Sequence, residues 1–169
     1  MGIGTRWGMI AAAAVLASGC AAIGLARLEP GKSTEADVRQ ALGAPARVYS
    51  LPGGARQLAF PQGPAGTQTY MAYVAPDGRL TRVDQVLSDE HLQRIVPGTT
   101  TSEQLERLIG PPWRTIAFPN LRQVAWDYVI DDAWGYTVDL SVMVDERGIV
   151  AGTVYARRER GDKGNGGFK

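Results

Sequence analysis

Apolar residues follow two different periods along this chain, and the switch between them occurs twice. Val38, Ala41 and Leu42 repeat at i, i+3 and i+4, as do Leu105, Leu108 and Ile109, the spacing that lays one stripe along a helix. Thr34 with Asp37, and Thr101 with Gln104, are capping-box pairs that satisfy free amides at a helix start. Gly43 and Gly110 offer a left-handed stop, and the prolines that follow prevent continuation. A shorter apolar set, Leu92, Ile95 and Val96, predicts an earlier helix capped by Ser88-Asp89-Glu90; its counterpart falls near Ala22 to Leu28.

Between the helices the period drops to two. Strands are expected near 46–51, 55–60, 67–75 and 79–87, with Pro52-Gly53-Gly54 and Pro76-Asp77-Gly78 as hairpin turns. A second set is expected near 113–118, 122–130, 136–144 and 149–157. In the third of these, Tyr136, Val138, Leu140, Val142 and Val144 point one way while Thr137, Asp139, Ser141 and Met143 point the other. One face is therefore buried, and the other meets water or a partner.

The two sets are copies. Pro30 to Pro45 aligns without gaps on Pro97 to Pro112, an offset of 67 residues, and the match continues through Leu25 with Leu92, Arg27 with Arg94, Leu28 with Ile95 and Arg47 with Arg114. Self-similarity over this length points to a duplicated structural unit. The expected fold is α+β: two tandem ααββββ repeats, at 20–87 and 88–157, each with a helix pair on one face of an antiparallel sheet. Whether the sheets stay separate or join into one of about eight strands is open at this level. Residues 158–169, Gly-rich and charged, read as a disordered tail.

The N-terminus carries different information. Arg6 precedes the apolar run from Met9 to Ala17, about half the ~20 residues that a spanning helix needs and the length of a signal-peptide core. It ends in Leu16-Ala17-Ser18-Gly19-Cys20, which resembles the lipobox of bacterial lipoproteins, so residues 1–19 read as a signal peptide and Cys20 as the lipidated first residue. Cys20 is the single cysteine, and one unpaired thiol gives an exported protein little. Acyl chains contribute about 0.8 kcal/mol per buried methylene, so two or three of them hold a protein on a membrane. Ala21-Ala22 lack the Asp that signals inner-membrane retention in familiar lipoproteins, which implies the outer membrane, facing the periplasm.

Composition narrows the chemistry. The length, 169 residues, suits one compact unit, and 18 basic against 17 acidic residues leave no basic face for nucleic acid. His91 is the one histidine and reads as a surface residue, so neither a Cys/His pair nor a serine triad can be assembled. Asp131-Asp132 with Gly135 lacks the spaced ligands of a calcium loop, and Pro30-Gly31-Lys32-Ser33 lacks the glycine pattern of a phosphate loop. No cofactor, metal or small-molecule substrate is expected. A hydrolase using carboxylates alone would have to draw on Asp127, Asp131 and Asp132.

Surface recognition is the chemistry that remains. Trp113, Trp126, Tyr128, Trp134 and Tyr136 cluster in the second copy, while Tyr49, Phe60, Tyr70 and Tyr73 are spread through the first. Trp126 and Tyr128 share a strand face and belong in the core; Trp134, Trp113 and Tyr136 are the candidates for partner contact.

The helix segment with its closing Gly-x-Pro, the later Trp126-Asp127-Tyr128 strand and the Arg147-Gly148 hairpin together resemble the BamE-like, or SmpA/OmlA, small outer-membrane lipoproteins. The resemblance spans nearly all of the mature chain, once per copy. It implies a membrane-anchored, non-enzymatic scaffold or accessory factor whose partner belongs to the outer-membrane assembly machinery. Two copies in tandem are also similar to the β-lactamase-inhibitor-protein fold, which implies the alternative of an inhibitory module gripping a periplasmic hydrolase with a concave sheet.

Overall fold

The computed structural model describes residues 24–157. The signal segment, Cys20 and the tail from residue 158 lie outside the described residues, as does the start of the expected first helix, of which Gly24 and Leu25 are helical. The first unit contains α1 (Glu35–Leu42), β1 (Arg47–Ser50), β2 (Arg56–Pro61), β3 (Thr69–Val74) and β4 (Leu80–Gln85). The second contains α2 (Asp89–Leu92), α3 (Ser102–Ile109), β5 (Arg114–Phe118), β6 (Gln123–Asp131), β7 (Thr137–Asp145) and β8 (Val150–Arg157).

Both principal helices begin as the sequence predicts. Thr34 Oγ1 accepts from the Asp37 amide at 3.3 Å while Asp37 accepts from the Thr34 amide at 2.7 Å. Thr101 and Gln104 reciprocate in the same way at 3.1 and 2.9 Å. These bonds favour the ionised carboxylate of Asp37 and hold its pKa below the ordinary value. Each helix start is also stitched to the closing hairpin of its own unit: Glu35 N donates to Gly78 O at 3.0 Å, and Ser102 N to Gly148 O at 2.7 Å. Such ties satisfy helix amides that have no partner within the helix.

Two details differ from expectation. Ser88 makes no side-chain cap on α2; its hydroxyl is bonded to His91 Nδ1 at 2.9 Å, and α2 is a single turn. At the helix ends Gly43 and Gly110 have positive φ (85° and 86°), but their ψ values of −158° and 174° are extended rather than left-handed helical. That turns the chain straight into the following strand.

The strands form two separate antiparallel meanders, β1-β2-β3-β4 and β5-β6-β7-β8. The open question of one continuous eight-stranded sheet is thereby settled as two four-stranded sheets. On the face toward α1, Val38 packs with Leu58, Phe60, Ala72, Val74 and Leu80. On the face toward α3, Leu105 and Ile109 pack with Tyr128, Ile130, Val138, Leu140, Val142, Val144 and Val150, with Trp126 alongside. Each fully buried aliphatic side chain contributes about 1.5–3 kcal/mol. The alternation along β7 holds from Val138 to Val144, whereas Tyr136 lies beyond the strand and is exposed.

The units join through α3, which lies between the sheets. Its inner stripe covers its own sheet, and its outer side covers the opposite face of the first sheet, where Ala59, Met71 and Val86 are buried with Tyr49 and Tyr73 beside them. Gln57 donates to the Arg107 carbonyl at 2.8 Å, Arg47 pairs with Glu106 at 3.3 Å, and the Arg107 guanidinium lies 5.5 Å from the Tyr49 ring. Gly110 is closest of all: a Cβ there would stand 2.7 Å from Thr69 Cγ2, whereas one on Gly43 would meet nothing within 4 Å. Burial, with the Glu106 carboxylate second, pushes the Tyr49 phenol up; burial does the same to Tyr128, whose hydroxyl donates to Gly110 O at 2.9 Å.

Gly43→Ala and Gly110→Ala should therefore differ. The shared backbone conformation is costly for alanine, about 1–3 kcal/mol, and Gly110→Ala should lose more because its methyl also collides with Thr69; urea unfolding of the two variants measures the gap. The tyrosines make a second expectation. Their folded-state pKa values lie above the unfolded value of about 10, so their contribution is full below that pH and is lost as pH rises further. The thermal midpoint should fall above that pH, and the deficit of Tyr128→Phe relative to wild type should narrow there.

Candidate partner-binding surface

The three candidate residues do not form one patch. Trp134 and Tyr136 share the β6–β7 hairpin tip, whereas Trp113 is at the seam between the units. The tip is built by Asp132, whose Oδ1 accepts from the amides of Trp134 at 2.9 Å and Tyr136 at 2.8 Å, while Gly135 N returns to Asp132 O at 2.9 Å. An aspartate that bonds backbone amides a few residues on is a local turn-forming device. It holds Trp134 82% exposed and Tyr136 54% exposed, with the Arg157 guanidinium 4.6 Å from the Tyr136 ring. Asp131 accepts from Thr67 Oγ1 at 2.6 Å, so it ties the hairpin to the first unit.

Trp113 packs against the β2–β3 loop. A Cβ on Gly63 would stand 3.3 Å from Trp113 Cβ, and Pro61, Thr69, Leu87, Pro111, Tyr128 and Val129 surround the same spot. Its Nε1 is buried without a hydrogen-bond partner among the described residues, and the Arg114 guanidinium lies 4.4 Å from its ring. Trp113 thus joins the two halves of the chain.

Reading the sequence missed a polar network on the far face of the second sheet. Arg114 donates through Nε and Nη2 to Asp127 Oδ2 at 2.9 and 2.7 Å, and Ser141 Oγ donates to Oδ1 at 2.7 Å. Asp127 is buried within it. The sign was present in β-strand parity: Asp127 alternates with Trp126 and Tyr128 and so must face away from the core. Asp127 and Asp131 lie on one strand, four residues and hence about 13 Å apart, and each is engaged by its own partners. Among the described residues no group of His, Cys, Asp or Glu could hold a metal ion, and no helix is long and apolar enough to cross a membrane.

No family model and no curated relative matches the chain. Among solved structures it is similar to the DUF4309 family protein YjgB from Bacillus subtilis, with 21% identity, 78% of this chain and 83% of that chain covered, and a TM-score of 0.30.

Removing the guanidinium by Arg114→Leu leaves the Asp127 carboxylate with Ser141 alone. The expected loss is ~1–3 kcal/mol, larger than for Thr115→Ala one residue along the strand, and a double-mutant cycle with Asp127→Asn should show coupling between the two side chains.

Proposed function

We propose that the chain is a lipid-anchored, periplasm-facing protein of the outer membrane. It serves without catalysis as a scaffold or accessory factor in outer-membrane protein assembly or envelope integrity, as in the BamE-like lipoproteins it resembles. The lipobox ending at Cys20 and the duplicated helix motif support the anchor and the class.

One observation carries the choice of contact surface. The β2–β3 loop and the β6–β7 loop hold equivalent positions in the two units. The first is occupied, with Gly63 against Trp113 and Thr67 bonded to Asp131 of the following unit. The second has no following unit among the described residues, and it presents Trp134 and Tyr136 on a turn fixed by Asp132. Aromatic side chains presented to solvent from a turn whose backbone is hydrogen-bonded are well suited to anchor a protein partner. The alternative inhibitory module would need a concave sheet, and the two sheets are not joined.

Intact mass after membrane extraction tests the anchor: wild type should carry a diacyl or triacyl increment that Cys20→Ser lacks. Pull-down from detergent-solubilised membranes tests the surface. Wild type should enrich an outer-membrane assembly component, and Trp134→Ala should lose most of that enrichment with thermal stability unchanged. An unmodified Cys20, or equal enrichment by Trp134→Ala, would overturn the corresponding half of the proposal.

A further inference from the structure

The outer edge of β8 differs from the other sheet edges of this chain. At its start, Val150 is covered: its amide donates to Thr100 O at 2.9 Å, and its carbonyl accepts from Gly98 N at 2.8 Å. From Ala151 onward no described segment lies along that edge. Exposed strand edges are templates for further strands, and proteins ordinarily guard them with charge, proline or brevity. Charge or brevity guards the other three edges: β4 carries Arg82 and Asp84 inside the strand, and beyond the single terminal charges Arg47 and Arg114, β1 and β5 run only from Val48 to Ser50 and from Thr115 to Phe118. β8 runs Val150-Ala151-Gly152-Thr153-Val154-Tyr155-Ala156 without a charge or a proline before Arg157. Val154 and Tyr155 are 55% and 56% exposed on its two faces.

We infer that two copies of this chain associate through this edge, their β8 strands pairing antiparallel about Val154 to join two four-stranded sheets into one of eight. This goes beyond the scaffold reading and does not depend on the lipid anchor. The occupant follows from self-complementarity. Val154, Gly152 and Ala156 share the far face of the sheet, while Thr153 and Tyr155 share the face toward the helix. A two-fold axis at Val154 sets Val154 opposite itself, Ala156 opposite Gly152 and Tyr155 opposite Thr153, so like faces meet like faces. A Cβ on Gly152 would meet nothing within 4 Å, which leaves room for the opposing residue. The one charged side chain, Arg157, falls opposite Ala151, so no like charges are opposed.

The test uses the full chain carrying Cys20→Ser, which removes the single native thiol. Light scattering across the micromolar range should give twice the chain mass. Adding Val154→Cys should yield a disulfide-linked dimer on mild oxidation, whereas Ala117→Cys, on the exposed edge strand β5, should remain monomeric. Val154→Lys should restore the monomer with its circular dichroism and thermal midpoint unchanged, which separates loss of pairing from loss of fold. A monomeric mass at every concentration, or a dimer that survives Val154→Lys, would sink the inference. So would cross-linking in membranes of Val154→Cys, made in the chain that keeps Cys20, solely to a different protein, which would assign the edge to a partner's strand.

Discussion

The architecture depends on α3 having two sheets to serve. An antiparallel sheet of four strands has two faces, and the first unit can cover one of them with α1. Its other face carries Ala59 and Met71, both fully buried and unable to face water at no cost. The second unit supplies the cover, and the contact is tight because Gly110 has no Cβ to hold the backbone away from Thr69. The backbone of α3 takes part as well, since the Arg107 carbonyl accepts from the buried amide of Gln57. Neither unit is complete alone: the first lacks a lid, and α3 without the first sheet would expose its outer flank.

On the second sheet the same problem recurs with a different solution. Strand pairing places Asp127 and Ser141 in the second sheet where Ala59 and Met71 stand in the first. No described helix covers that face. The Arg114, Asp127 and Ser141 network occupies its centre instead, with every carboxylate oxygen bonded. A polar network is one way to finish a sheet face that no described element covers. A buried carboxylate stripped of its partners would be costly, and the paired one is tolerated.

Much of this was legible in the sequence because it is local. The capping boxes at Thr34 and Thr101, the stripe Leu105, Leu108 and Ile109, and the alternation from Val138 to Val144 each depend on neighbours a few residues away. The duplication made them doubly readable. What was not legible was set by contacts distant in sequence. Nothing near Trp113 says that Gly63 will meet it, and period-two patterning cannot tell two four-stranded sheets from one of eight. Ser88 was misread for a different reason. It satisfies the local preference for a cap, but His91 stands one turn on and takes the hydroxyl. Tyr136 continues the alternation in sequence yet lies past the last residue that α3 and its sheet can cover.

Comparing the two copies turns this limitation into a method. Units that began alike diverge most where their surroundings differ. Trp113 replaces Ala46 because only the second copy has a preceding loop to pack on; Glu106 and Arg107 replace Arg39 and Gln40 because only α3 faces a second sheet, with Arg47 and Tyr49 to meet. Each divergence at the seam is matched by a contact inside the molecule. Trp134 and Tyr136 are also divergent, in the loop equivalent to the one that holds Trp113, but they have no such seam to explain them. Among the described residues the Tyr136 ring meets Arg157 and Trp134 stands in water on a turn closed by Asp132, so the seam contacts that account for Trp113, Glu106 and Arg107 do not reach this loop.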